Sequence, residues 1–139
     1  MAFRIDLTLD CADPTRLAEF WKLALGYVDE PPPAPFATRE EWLQQFDLSE
    51  DDAEDGAWLC DPAGAGPRLF LQQVREPKVA KNRLHLDVRV TGQDSAGDRW
   101  AVITRTVGRL AAAGATVLRE VQDHHVVMAD PEGHEFCVC

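Results

Sequence analysis

The side chains with chemistry to offer fall at positions that an internal repeat makes equivalent. Aligning the opening strands, residues 3–11 and 84–90, at a constant offset of 79 sets Asp6 on His85 and Leu7 on Leu86. Aligning the closing strands from Leu71 on Val138 sets Phe70 on Cys137. Asp6, Phe70, His85 and Cys137 are then four equivalent positions, aimed into one concavity if each half curls its sheet. Three chemistries suit them. In the first, which we prefer, His85 hydrogen-bonds Asp6 and Cys137 packs as a small apolar residue, leaving a polar pocket without metal. In the second, Asp6, His85 and Cys137 hold a zinc-like ion with an open fourth position, all three being ordinary zinc ligands. In the third, the His–carboxylate pair performs general acid/base work. Phe70 offers no donor to a metal, and Gln72 is the nearest one.

Strand parity extends the set. Asp87 lies two residues after His85, and Glu135 two before Cys137, so each shares its neighbour's face. Of the adjacent pair His124-His125, one at most enters the cleft. His134, after the turn glycine Gly133, is expected at the surface. Trp42 and Phe46 sit in a segment, 30–56, with no counterpart of similar length in the second half; simple packing of it onto the sheet is the favoured reading, and a lid over a flat or apolar ligand the alternative.

The elements that must position these groups are legible. Residues 3–11 alternate with period two, as a half-buried strand does. Asp13 is placed as an N-cap and Pro14 as the first helical residue. Leu17, Phe20, Trp21, Ala24 and Leu25 then share one helix face, which Gly26 ends. Tyr27-Val28 starts a strand. Thr38 and Glu41 open a short helix, 38–46, as a capping box. The acidic run Ser49–Asp55 reads as a solvated loop. Strands at 57–61 and 68–74 flank the turn Asp61-Pro62-Ala63-Gly64, just as strands ending at Ala129 and starting at Glu135 flank Asp130-Pro131-Glu132-Gly133. In the second half a helix spans about 98–113, with Trp100, Ile103, Val107 and Leu110 on one face. Module one is thus 1–75 and module two 82–139, in a single domain of 1–139.

Composition bounds the partners. The chain has 139 residues, 45% hydrophobic, with a formal net charge of −10. That charge repels nucleic acid and anionic lipid and favours neutral or cationic small molecules. No stretch approaches the ~20 apolar residues of a membrane span, and residues 1–6 lack signal-peptide blocks. Four cysteines without a Cys-x-x-Cys pair fit reduced core thiols in a cytoplasmic protein.

Three stretches carry a family resemblance: Asp13-Pro14 before the helix ending Leu25-Gly26-Tyr27, Asn82-Arg83-Leu84-His85-Leu86-Asp87-Val88, and Asp130-Pro131-Glu132-Gly133-His134-Glu135-Phe136. They are similar to the vicinal oxygen chelate superfamily of glyoxalase I, bleomycin-resistance proteins, fosfomycin-modifying enzymes and extradiol dioxygenases. The run from Gly66-Pro67-Arg68 through Pro77-Lys78 into His85-Leu86-Asp87 resembles its glyoxalase-like branch common in actinobacteria. The resemblance implies an α+β fold of two tandem βαβββ modules, with curved sheets around a cleft, and a homodimer. In metal-using relatives the four positions carry His, Gln and Glu, which chelate two adjacent substrate oxygens. Here His85 matches, Asp6 stands where a His is usual, and Phe70 and Cys137 stand where glutamates would. The expectation is a protein that binds a small, aromatic or cationic molecule through Asp6, Trp42, Phe70, Gln72, His85, Asp87, Glu135 and Cys137, without a complete metal site or other cofactor. The alternative is a lyase or isomerase acting through Asp6 and His85, with or without a divalent metal such as zinc.

Overall fold

The computed structural model describes residues 1–47, 56–92 and 98–139, so the acidic run Ser49–Asp55 lies outside the described residues. In chain order the elements are β1 (Leu7–Cys11), α1 (Pro14–Leu25), β2 (Val28–Asp29), α2 (Arg39–Leu43), β3 (Gly56–Cys60), β4 (Leu69–Gln73), β5 (Leu86–Val88), α3 (Arg99–Ala112), β6 (Thr116–Val121), β7 (His125–Ala129) and β8 (Glu135–Val138). They form two four-stranded mixed sheets of identical order, β1-β4-β3-β2 and β5-β8-β7-β6. The first strand of each is parallel to the last and lies at an open edge.

The repeat holds at the level of register. Leu7 pairs with Leu69 where Leu86 pairs with Phe136, the same offsets by which the sequence aligns. Trp58 beside Phe70 corresponds likewise to Val127 beside Cys137. Alternation then sorts the faces. Leu59, Leu69, Leu71, Val126, Met128, Phe136 and Val138 go inward, at 2% exposure or less. Trp58, Phe70 and Gln72 in one sheet, and Asp87 and Cys137 in the other, share the opposite faces.

Local signals explain the helices. Asp13 caps α1 through Arg16 N at 3.1 Å, Pro14 opens it, and Gly26 closes it at φ 69°. The Thr38–Glu41 capping box forms, although α2 is shorter than its sequence expectation. Helix α1 lies on β3 and β4, α3 on β6, β7 and β8, and the two helices touch. Trp21 and Phe20 reach Phe136 of the second sheet in edge-on ring contacts of 5.2 and 5.8 Å, so one core spans both modules. No helix among the described residues is long and apolar enough to cross a membrane.

Polar contacts also clasp the modules, at the turn between β7 and β8. Asp130 accepts from the Trp21 indole N–H at 3.0 Å. Glu132 accepts from the backbone N–H groups of Ala12 and Asp13, at 2.6 and 3.0 Å. His134 donates through Nε2 to the Asp10 carbonyl at 2.9 Å. The expectation of a surface His134 is corrected: the residue is 6% exposed, because module one closes over it.

Candidate functional site

Each sheet presents an open face, and the two differ in chemistry. In module one, Phe70 stacks on Trp58 with ring centroids 4.5 Å apart and planes inclined by 26°. Gly56 makes room, since a Cβ there would collide with the Phe70 ring. The Arg39 guanidinium lies 4.6 Å over Trp58 and 5.3 Å from the Trp42 ring, and its Nη2 donates to Glu30 at 3.2 Å. A cation over an aromatic face is attracted by the ring quadrupole. These contacts tie α2 to the sheet, so Trp42 is a wall residue, stacked edge-on against Phe46. Gln72 follows Phe70 on the same face, in register with Asp10 and Gly56.

Asp6 belongs to this module electrostatically. It accepts from Arg68 Nη2 at 3.1 Å and lies 3.8 Å from Arg4 Nε. Arg68 is shared with Glu30, 3.6 Å away. A carboxylate so neutralised is a poor ligand for a further cation.

Module two gathers donors. His85 Nε2 lies 3.2 Å from Asp87 Oδ1 and 3.2 Å from Cys137 Sγ. The three ligand atoms fall within 4.8 Å of one another. Strand geometry brings them there: Asp87 is the parallel register partner of Cys137, and His85 is two residues from Asp87 on the same face. His85 and Asp87 are exposed while Cys137 is buried. Burial pushes the Cys137 thiol upward, and the Asp87 charge adds to the effect, so at neutral pH the group is a thiol. Glu135 stands at the rim, bound to Lys81, which holds its carboxyl below the usual range.

The sequence-derived set is therefore redistributed. His85 meets Asp87 in place of the expected Asp6, and the converging trio is His85, Asp87 and Cys137. A cavity of about 110 Å³ does lie at the seam between the modules, lined by Leu7, Leu9, Trp21, Leu69, Leu84, Leu86, His134 and Glu135 among others. Neither Asp6 nor His85 is in its walls. His124 and His125 face each other beside the β6–β7 turn, with ring centroids 4.7 Å apart. Asp130, Glu132 and His134 are the polar residues that sequence reasoning passed over. Their signal was the contrast between the two turns, where Ala63 and Ala65 stand opposite Glu132 and His134.

Two metal arrangements can be tested against these residues. The four-position centre that the resemblance implies does not fit, because Phe70 carries no donor and stacks on Trp58, and Asp6 is bound to Arg68. The trio in module two does fit a zinc-type ion. Zinc bond lengths put neighbouring N, O and S ligands about 3.4–3.6 Å apart at tetrahedral angles, close to the two 3.2 Å separations from His85 Nε2. The Cys137 proton would leave on binding. A cysteine nucleophile is not supported. His85 turns the same nitrogen to both Asp87 and Cys137, whereas nucleophile activation needs the base oriented through its other nitrogen.

No curated protein matches the chain by sequence. Among solved structures, fosfomycin resistance protein FosX from Mesorhizobium loti superposes with TM-score 0.65 at 12% identity, over 99% of this chain and 90% of that one. A mutant FosX from Listeria monocytogenes, solved with Mn(II) and 1S,2S-dihydroxypropylphosphonic acid, gives 0.66 at 10% identity, over 99% and 91%. A glyoxalase/bleomycin resistance/dioxygenase family enzyme from Burkholderia phytofirmans gives 0.60 at 16%, over 96% and 97%. At these identities the likeness is one of fold. The model of the glyoxalase-like domain matches residues 6–139, and the chain belongs to that family, within the vicinal oxygen chelate superfamily.

Proposed function

We propose that this protein binds a small organic molecule at the open face of its second sheet, with His85, Asp87 and Cys137 as the polar anchor and no four-ligand metal centre. The observation that carries this reading is the loss of two of the four equivalent positions to other work: Phe70 to the Trp58 stack and Asp6 to Arg68. What remains is a cluster that offers an imidazole, a carboxylate and a thiol to a guest. Asp87 and the net charge of −10 favour a cationic or neutral ligand over an anionic one. The exposed Phe3, Ile5 and Leu84 give a homodimer, the assembly we take the protein to adopt, an apolar surface to bury.

A second reading is favoured by the convergence of the trio. In it, His85, Asp87 and Cys137 hold a zinc-type ion, which when bound would polarise a substrate oxygen as a Lewis acid. The protein would then be a lyase or isomerase, with Glu135 at the rim as the carboxylate left to move the proton. Without a metal, His85 itself is the base for such chemistry, and Asp87 orients it in the role expected of Asp6.

Metal analysis of protein purified without chelator separates the readings. The binding reading expects no stoichiometric ion, and affinity for a cationic aromatic probe that chelator leaves unchanged and His85→Ala weakens about tenfold. One zinc per chain, lost in both His85→Ala and Cys137→Ala, would replace that reading with the second.

A further inference from the structure

The two turns of the repeat form a control experiment within one chain. In module one, Asp61 organises the reversal by accepting from the N–H groups of Ala63, Ala65 and Gly66, at 2.8, 3.0 and 2.8 Å, and Gly64 takes φ +70°. In module two, Asp130 accepts from Glu132 N and His134 N at 2.9 and 3.0 Å, and Gly133 takes φ +90°. Alanines suffice where the second turn carries Glu132 and His134. Those side chains are surplus to the turn, and both reach into module one.

The surroundings of His134 suit only one protonation state. Its Nδ1 lies 2.9 and 2.8 Å from the two Asp130 oxygens, and its Nε2 lies 2.9 Å from the Asp10 carbonyl oxygen. All three are acceptors. A neutral imidazole has a single N–H, so it would press a lone pair against one of them. The imidazolium donates on both sides. With the residue only 6% exposed, little water can stand in for a lost partner, and an unmet buried group is destabilising.

We propose that protonated His134 is a pin holding β1 of module one against module two, and that loss of its proton loosens the seam between them. The neutral ring keeps its hydrogen on Nδ1, where the carboxylate bond is the stronger. The bond to Asp10 is therefore the one that fails, and it is the one that crosses the seam. The groups facing His134 are Asp130 and Glu132 of its own turn and the Asp10 carbonyl of β1, with Cys11 of β1 lining the same groove. Across this groove, of about 690 Å³, stand Glu76, Lys78 and Lys81 of the inter-module linker. Burial alone would push the imidazolium toward deprotonation. The hydrogen bond and charge of Asp130, the Asp10 carbonyl and Glu132 outweigh it, and the net displacement is upward. A raised folded-state value leaves the contribution intact below about pH 6.5, the ordinary histidine value, and removes it as pH climbs through the folded-state value.

The test is long-range 1H–15N NMR of the labelled full chain, with His134→Gln to assign the ring. Both His134 nitrogens should be protonated at pH 6, and the ring should titrate above the exposed histidines. Over the same interval the hydrogen-exchange protection factors of Ala12 and Asp13 should fall at least tenfold in wild type and stay level in H134Q. A single neutral tautomer at pH 6, or protection that ignores pH in wild type, overturns the proposal. Should H134Q fail to fold, the wild-type titration decides alone.

Discussion

Replacing Asp130 with asparagine keeps the shape of the clasp and removes its charge. Oδ1 accepts from Glu132 N and His134 N, while Oδ2 accepts from Trp21 Nε1 at 3.0 Å and receives His134 Nδ1 at 2.8 Å. An asparagine oxygen can serve the two backbone donors. Its NH2 then faces the indole and imidazole N–H groups, donor against donor. Two charge-assisted bonds, each worth about 1.5–3 kcal/mol, are lost or reduced to a neutral contact, since Oδ1 at 2.9 Å still faces His134 Nδ1. We expect a loss of about 4 kcal/mol for Asp130→Asn, a large part of the roughly 5–15 kcal/mol of a whole domain. Urea unfolding at pH 6, followed by far-ultraviolet circular dichroism, would show the midpoint falling by about 2 M at a typical slope. Trp21→Phe removes one donor and should cost about 1.5–3 kcal/mol plus a packing loss. In the Asp130→Asn background it also relieves a clash, so the two changes should be strongly non-additive. A loss below about 1 kcal/mol for Asp130→Asn, or plain additivity in the cycle, would refute the claim that this carboxylate is the anchor of the seam.

Other expectations follow from the same geometry. Burial and the neighbouring carboxylates Glu132 and Asp130 push the Cys11 thiol up to about 12, so native protein at pH 9 should resist alkylation there, as mass spectrometry of iodoacetamide-treated peptides would read. Because that value is raised on folding, Cys11 should contribute a decline in stability of up to about 1.4 kcal/mol per pH unit above roughly pH 8.5, and Cys11→Ala should remove that part of the slope. Arg39→Ala removes the cation from over Trp58 and the bonds to Glu30; it should cost about 1–2 kcal/mol and speed proteolytic cleavage between residues 30 and 47. Gly56→Ala drives a methyl into the Phe70 ring and to 2.7 Å from the Leu71 carbonyl; a lowered Tm and a changed Trp58 near-ultraviolet signal should follow.

What could be read from sequence was whatever neighbouring residues decide among themselves. Period-two alternation at residues 3–11 named the inward leucines, and the observed strand is Leu7–Cys11 because pairing begins only where β4 is opposite. Capping at Asp13, Thr38 and Gly26 is written in a few adjacent residues and was found as expected. Parity placed Asp87 on the face of His85. The misses concern partners chosen across long separations. Nothing local to Asp6 marks Arg68, 62 residues away, as its counter-ion. Nothing local to His134 marks the carbonyl of Asp10, 124 residues away. A histidine after a turn glycine is ordinarily solvated, and only the docking of two modules buries it.

The pattern of divergence between the halves bears on function more than the fold does. Apart from a register shift between Val117 and Arg119, the strand pairing is duplicated, so side-chain differences at equivalent points reflect different uses of one scaffold. In module one the row across the sheet is Thr8, Phe70 and Trp58, roofed by Arg39. In module two the corresponding row is Asp87, Cys137 and Val127, with Arg119 beyond. The aromatic row closes its face with its own side chains, while the polar row leaves His85 and Asp87 in solvent with Cys137 beneath. The clasp residues Glu132 and His134 also belong to module two alone. A cleft built symmetrically from both halves would need matching donors on each. This chain instead puts its donors in one half and an aromatic wall in the other.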